Sequence, residues 1–184
     1  DRKQGKTLLG KGEDDQAIIN HPDVRRILMT MKSTIDAMRC LGLECAASFD
    51  QARRHPDEEV RIRMQRRGEL LTPPVKVWST ELGFDLCSLG VQVHGGMGFI
   101  EETGAAQYLR DSRIAPIYEG TTAIQANDLI GRKTARDGGI GMAELIQDMR
   151  ATLTELEQHD DVNLKAIIKR FEPAVTAAES ATEW

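Results

Sequence analysis

Aromatic residues are scarce in this 184-residue sequence, where they occupy 4% of the positions. β-Sandwiches and barrels depend on aromatic and β-branched side chains to fill their cores, so the composition argues against an all-β fold. Long hydrophobic runs are also missing, and no stretch approaches the roughly 18 uncharged apolar residues that a membrane-spanning helix needs. Hydrophobic residues still make up 40% of the chain and charged residues 29%, which excludes a disordered chain because enough apolar surface can be buried.

The sequence also has little cysteine and no excess of basic charge. Its three cysteines are odd in number and form no CxxC pair, which argues against a disulfide framework or a zinc site and favours a reducing compartment. The net charge of −5 comes from mixed signs, so no basic face for nucleic acid is expected. None of the four histidines has a glutamate three positions before it, which excludes the di-iron pattern of helical bundles. We therefore expect no metal site.

Helix-forming residues and hydrophobic periodicity are abundant instead. Alternating steps of three and four between apolar residues after Pro22 predict a helix of roughly 30 residues that ends before Pro56. A second helical region, over about residues 57–94, should kink or break at Pro73 and Pro74. Four shorter helices are predicted over residues 103–113, 121–135, 141–158 and 162–180. The predicted fold is all-α, an antiparallel up-and-down four-helix bundle with extra C-terminal helices.

Glycine is concentrated in one part of the sequence, with ten of the sixteen glycines between residues 90 and 141. Because helix interiors avoid glycine, this clustering predicts tight turns or a close approach of the backbone to another group. Residues 92–99, with the sequence QVHGGMGF, form either a helix C-cap followed by a loop or a turn where a ligand reaches the backbone.

A second candidate lies in residues 118–122, with the sequence YEGTT, just before a predicted helix. Glu119 there either stabilises the positive end of the helix dipole or serves as a general base on a fixed turn. The second role needs apolar surroundings, because burial raises the pKa of a carboxylate toward the working pH. Gly120 would leave room for a substrate beside this base. The residue pattern alone leaves both alternatives open.

Four short blocks occur in a fixed order: residues 92–99, residues 108–114 (YLRDSRI), residues 117–121 (IYEGT) and Ile124-Gln125. Their order and spacing resemble the C-terminal helical domain of the acyl-CoA dehydrogenases, and the resemblance covers residues 1–137. Residues 138–184 resemble the truncated start of an extra helical region found in the longer members, a group that includes methylmercaptopropionyl-CoA dehydrogenases. The sequence has no initiator Met and stops abruptly, so we expect a piece of a longer protein.

The resemblance implies an acyl-CoA site and an FAD site at particular positions. Glu119 matches the catalytic base of the family, and Tyr118 and Gly120 match residues that line the acyl thioester. The positions that match flavin contacts come from three separate segments: Arg2, Gln4, Gln92, Gly95, Gly96 and Thr121. Residues 92–96 correspond to a segment that touches the adenosine part of FAD from a neighbouring subunit. Arg2 matches an arginine that neutralises the pyrophosphate, a role that suits a permanently charged fork of donors.

The resemblance also implies a reaction and its partners. In the family, the base removes the α-proton of a bound acyl-CoA, and the β-hydrogen leaves as hydride to FAD, which gives the trans-2-enoyl-CoA. Electron-transfer flavoprotein is then the expected acceptor, a homodimer or homotetramer the expected assembly, and the cytoplasm or the mitochondrial matrix the expected location. The isolated chain should be inactive, because the family's other two domains supply most of the flavin and substrate walls. Two alternatives are an acyl-CoA oxidase on the same scaffold and a non-catalytic helical oligomerisation module.

Overall fold

The computed structural model describes residues 2–6 and 16–183. These residues form seven α-helices: α1 (Pro22–Arg54), α2 (Glu58–His94), α3 (Gly96–Phe99), α4 (Ala105–Ser112), α5 (Thr122–Asn127), α6 (Ile140–Glu157) and α7 (Val162–Thr182). Among the described residues there is no β-strand, and the β-structure is limited to an isolated antiparallel bridge between Lys3 and Ala17. The predicted all-α class is therefore confirmed.

The chain divides into two compact units. The first unit lies within residues 1–43 and 75–122, and the second within residues 44–74 and 123–184. Both α1 and α2 contribute residues to each unit. All of the residues that the family resemblance assigns to a site fall in the first unit.

The predicted first helix is confirmed as α1, which begins at Pro22 and ends at Arg54. Proline is well suited to the first turn, because its ring presets φ and no N–H donor is needed there. The apolar residues that gave the three-and-four pattern are all partly or fully buried. These residues are Val24, Leu28, Met31, Ile35, Met38, Cys45 and Phe49. The periodicity thus identified the packed face of α1.

A kink or a break is predicted at Pro73 and Pro74, and the break is wrong, because α2 continues through both prolines. Proline lacks the N–H that an interior turn uses and its ring crowds the preceding turn, which costs about 3 kcal/mol. The same stretch is well packed, since Leu70 and Leu71 are buried and Pro73 is among the most deeply buried side chains. Burial of these side chains offsets the cost of proline in the helix interior, on which the prediction of a break was based.

Gly68 lies one turn before these prolines and is closely surrounded. Its carbonyl accepts hydrogen bonds from the Thr72 hydroxyl, at 2.8 Å, and from the Cys45 thiol, at 3.5 Å. A Cβ at this position would lie only 3.0 Å from the ring of Phe49. The absence of a side chain therefore lets α1 pack closely against α2 where the prolines begin.

The predicted helix over residues 121–135 is shorter than expected, because α5 is followed by a π-helical turn at Asp128–Arg132. The N–H of Lys133 donates to a carbonyl five residues back, at 3.0 Å, which is the wide spacing of a π-turn. The buried Thr134 donates its hydroxyl to another carbonyl five residues back, at 2.8 Å. A buried hydroxyl needs a hydrogen-bond partner, and the wider turn gives Thr134 the carbonyl of Leu129. Hydrophobic periodicity does not reveal such a turn.

Three other predicted helices, over residues 103–113, 141–158 and 162–180, are confirmed as α4, α6 and α7. The last two pack against each other in the second unit. Their core consists of buried Ile146, Leu153 and Val175 with partly buried Met142, Met149, Ile168 and Phe171. Asp161 caps the start of α7, because its carboxylate accepts the N–H of Asn163 at 2.7 Å.

Charged side chains of α2 and α6 form an ion-pair network in the second unit. Asp148 accepts two hydrogen bonds from Arg63, at 2.6 and 2.7 Å, and one more from Arg67. One turn earlier on α6, Glu144 accepts from Arg66. The side chain of Arg67 is 14% exposed, so water screens this network less than it screens a pair on the open surface.

Replacing Asp148 by Asn should lower the free energy of unfolding by about 1 kcal/mol, because two arginines lose their shared carboxylate. Urea unfolding of the 184-residue chain measures this change. The matched control is Asp160→Asn, because that carboxylate is 95% exposed and forms its ion pair with Lys165 on the open surface. Equal losses for the two variants would contradict the assigned role of the network.

Candidate functional site

The glycine-rich segment after α2 makes a tight turn. Gly95 follows the last residue of α2 with a φ of +62°, a conformation that favours glycine, and α3 begins at the next residue. Gly98 is buried, and a Cβ there would lie 2.3 Å from the carbonyl oxygen of Val91. The turn is therefore possible only with glycine at the closest approach of α3 to α2. Gly96, by contrast, is exposed and has open space where its Cβ would be.

The N-terminal segment lies against the end of α2. Arg2 donates through Nη1 to the carbonyl of His94 at 2.7 Å, which suits a cation at a helix C-terminus. The backbone N–H of Gln4 donates to the carbonyl of Gln16 at 2.9 Å. Nε2 of His21 donates to the carbonyl of Gln4 at 2.6 Å. These bonds hold two of the predicted flavin-binding residues beside the glycine turn.

The structure brings four of the six predicted flavin positions into one groove of about 250 Å³. The groove is lined by Arg2, Gln4, Gln92 and Gly95 together with Ile18, His21, Val24 and Val93. A guanidinium, two amides and a side-chain-free backbone turn are donors that suit an anionic or nucleotide-like group. These residues therefore fit the pyrophosphate and adenosine parts of FAD. Gly96 adjoins the groove in sequence, and Thr121 lies on a separate loop.

The loop between α4 and α5 holds the predicted base. Glu119 has a φ of +53° and is the one non-glycine residue with a positive φ among the described residues. Gly120, the next residue, has a φ of +95°. A strained backbone at a non-glycine residue is costly, and such residues cluster at active sites and ligand clamps. The conformation is therefore an independent reason to place a functional residue at this position.

Hydrogen bonds secure both ends of this loop. At its start, the backbone N–H groups of Ile117 and Tyr118 both donate to the carbonyl of Ile114, at 2.9 and 3.1 Å. At its end, Lys76 donates through Nζ to the carbonyl of Gly120 at 2.7 Å. Thr121 directly precedes α5, the position where a hydroxyl residue is a favoured cap.

Glu81 adds a further contact at the same end, because its carboxylate accepts the hydroxyl hydrogen of Thr122, the first residue of α5. Sequence reasoning missed both Lys76 and Glu81. They lie 44 and 41 positions from their partners, and no local pattern marks them as site residues.

Tyr118 is 52% exposed and Glu119 is also exposed in this chain. The apolar surroundings that a carboxylate base needs are thus not supplied by the described residues. Among the same residues, no group of three or more His, Cys, Asp or Glu side chains could hold a metal ion. A search of the described helices finds none with the length and hydropathy needed to cross a membrane.

Comparison with known proteins identifies the family. Residues 10–134 match the model of the acyl-CoA dehydrogenase C-terminal domain. The 3-methylmercaptopropionyl-CoA dehydrogenase of Ruegeria pomeroyi is 49% identical over 158 residues, which is 86% of this chain and 27% of that protein. A broad-specificity linear acyl-CoA dehydrogenase of Mycobacterium tuberculosis is 38% identical over 129 residues, 70% of this chain and 21% of that protein.

A butyryl-CoA dehydrogenase of Syntrophomonas wolfei is 36% identical over 116 residues, which is 63% of this chain and 19% of that protein. The chain thus spans between 19% and 27% of the length of these three relatives. The family match covers more than half of the chain and includes the glycine turn and the loop of Glu119. The chain therefore belongs to the acyl-CoA dehydrogenase family and contains its C-terminal domain.

Proposed function

We propose that the full-length protein is an FAD-dependent acyl-CoA dehydrogenase, which converts an acyl-CoA thioester to the trans-2-enoyl-CoA. The observation that carries the proposal is the conformation of Glu119. Its φ of +53° and the hydrogen bonds at both ends of its loop support a defined backbone at the residue that bears the carboxylate. This segment lies within the match to the acyl-CoA dehydrogenase C-terminal domain, which supports the proposal that the carboxylate acts as the base of that family's reaction.

Glu119 is the proposed base. An α C–H beside a thioester is a weak acid, so the reaction needs a base in contact with it and surroundings that exclude water. The carboxylate takes the α-proton and becomes the neutral acid, while the electron pair of the broken C–H bond forms the new double bond. Tyr118 and Gly120, which flank the base, would line the thioester, and Gly120 has no side chain to obstruct it.

The groove beside α2, lined by Arg2, Gln4, Gln92 and Gly95, is the proposed flavin contact, with Gly96 next to it in sequence and Thr121 on a separate loop as further proposed contacts. A bound FAD supplies what no side chain can, an acceptor for the β-hydrogen and its electron pair. The guanidinium of Arg2 has five N–H donors, so one can hold the carbonyl of His94 while others reach a pyrophosphate. Gly96 leaves the backbone open to a flat ring, and at Gly95 the guanidinium of Arg2 lies 3.5 Å from the position that a Cβ would take.

We also propose that the domain ends near residue 137, that residues 138–184 begin an additional helical region, and that the enzyme is a homodimer or homotetramer. Large apolar side chains on the surface of the first unit support an assembly that would bury them, since Phe99 is 82% exposed and Tyr108 is 73% exposed. Electron-transfer flavoprotein is the proposed acceptor, as in the family. The isolated chain should be colourless and inactive, because the family's other two domains supply most of the flavin and substrate walls and because Glu119 is exposed in this chain.

Anaerobic titration of the full-length flavoprotein with a panel of acyl-CoAs tests the function. The panel should include linear acyl-CoAs and 3-methylmercaptopropionyl-CoA, because the relatives carry those names. Bleaching of the flavin absorbance by at least one thioester is expected, with formation of the enoyl-CoA. A purified protein without flavin absorbance would contradict the proposal and favour a non-catalytic module. Fast reoxidation of the reduced flavin by oxygen would indicate an oxidase instead.

A further inference from the structure

Two side chains of α2 hold the end of the loop that carries Glu119. The ammonium of Lys76 lies 2.7 Å from the carbonyl oxygen of Gly120, the residue directly after Glu119. The carboxylate of Glu81 accepts from the hydroxyl of Thr122. Lys76 is half-buried, which makes this contact less accessible to competing water than a bond on the open surface.

The backbone at this point has a conformation that is costly for a non-glycine residue. A non-glycine residue with a φ of +53° tends to relax toward negative φ, and Gly120 imposes few restrictions of its own. A hydrogen bond from a charged donor is stronger and shorter than a neutral one, so Lys76 is well suited to fix the orientation of the peptide that follows Glu119. Lys76 lies on the helix α2, and a side chain on a helix is positioned more precisely than one on a loop.

We propose that Lys76 is a positioning residue for Glu119, and that its bond to the Gly120 carbonyl holds the carboxylate where it can reach the α-proton. The inference rests on the proposed function of Glu119 as the base. Lys76 acts on the rate through the backbone of the loop and not through contact with the substrate. A misplacement of about 1 Å is enough to lower a rate roughly 100-fold, so the contact should have a measurable effect.

The test separates proton removal from flavin chemistry in the full-length holoenzyme. A 3-thia-acyl-CoA has sulfur in place of the β-carbon, so it has no β-hydrogen to lose, although its α-proton can still exchange with deuterium from the solvent. The exchange rate is measured by NMR or mass spectrometry for wild type, Lys76→Met and Lys76→Arg. The matched control is Lys32→Met, because Lys32 pairs with Asp36 on the exposed surface of the first unit. Flavin content and thermal stability are measured in parallel.

Lys76→Met should slow both α-proton exchange and flavin reduction by about 10- to 100-fold, with a dissociation constant for the acyl-CoA within about threefold of wild type. Flavin content and thermal stability should match those of the Lys32→Met control. Lys76→Arg keeps an N–H donor at the same place, so it should recover most of the exchange rate.

Exchange in Lys76→Met within about twofold of wild type would overturn the proposal. A variant that loses flavin or stability in proportion to its rate would overturn it as well, because the role would then be structural. Failure of the proposed function is distinguishable, since wild type would then show no α-proton exchange and no flavin reduction with any acyl-CoA, whatever residue stands at position 76.

Discussion

Replacing Glu119 by Gln in the full-length protein should slow flavin reduction by an acyl-CoA by about 10⁴-fold, the upper range for the loss of a general base. Glutamine has nearly the same shape as glutamate but cannot take up the α-proton. The hydrogen bonds at the two ends of the loop are accepted by the backbone carbonyls of Ile114 and Gly120, and glutamine can adopt the same backbone conformation as glutamate, so the amide should be tolerated. Stopped-flow measurement of the flavin absorbance under anaerobic conditions gives the rate constant.

The flavin content of the Glu119→Gln variant should equal that of wild type, because the proposed flavin groove is formed by other residues. Glu102→Gln is the matched control, since it makes the same chemical change at an exposed site of the same unit. It should reduce its flavin at the wild-type rate. Normal flavin reduction in Glu119→Gln would show that another group is the base.

Replacing Gly98 by Ala should destabilise the chain by about 3 kcal/mol, the upper range for forcing a methyl group into a packed site. The added Cβ would lie 2.3 Å from the carbonyl oxygen of Val91 and 2.8 Å from Cβ of His94. The closest atom belongs to the backbone of α2, which cannot move aside as a flexible side chain could. Relief of the clash would have to displace α3 and the turn at Gly95.

Gly42→Ala is the matched control for this variant. Gly42 lies inside α1, and nothing comes within 4 Å of the position of its Cβ. Because glycine weakens a helix interior, this change should stabilise the chain by about 0.5–1 kcal/mol. Urea unfolding of the two variants of the 184-residue chain should therefore give shifts of opposite sign. A neutral Gly98→Ala would contradict the close approach of α3 to α2.

Much of the fold could be predicted because apolar residues recur with the period of a helix along the sequence. The apolar steps in α1 and the boundaries of α4, α6 and α7 follow from local pattern, and the structure confirms them. Two predictions failed for one reason. The continuation of α2 through its prolines and the π-turn after α5 are both associated with buried side chains, Leu70, Leu71 and Pro73 in the first case and Thr134 in the second. Local propensity is weak compared with tertiary packing, so predictions made from it failed at both places.

The site shows a similar division. The blocks around the glycine turn and around Glu119 are continuous in sequence, so their order and spacing alone indicated the family and the residues to examine. The assembly of Arg2 and Gln4 with Gln92 and Gly95 in one groove required the folded chain, because these segments are far apart in sequence.

The sequence by itself determined the all-α class through composition and periodicity, and it indicated the family through the order of short motifs, whose resemblance to that family gave the proposed base. Tertiary structure decided that α2 passes through its prolines, that Glu119 has a positive φ, and that Lys76 reaches Gly120. The physical reason is that burial and long-range hydrogen bonds depend on residues that folding brings together, and the partner of Lys76 is 44 positions away.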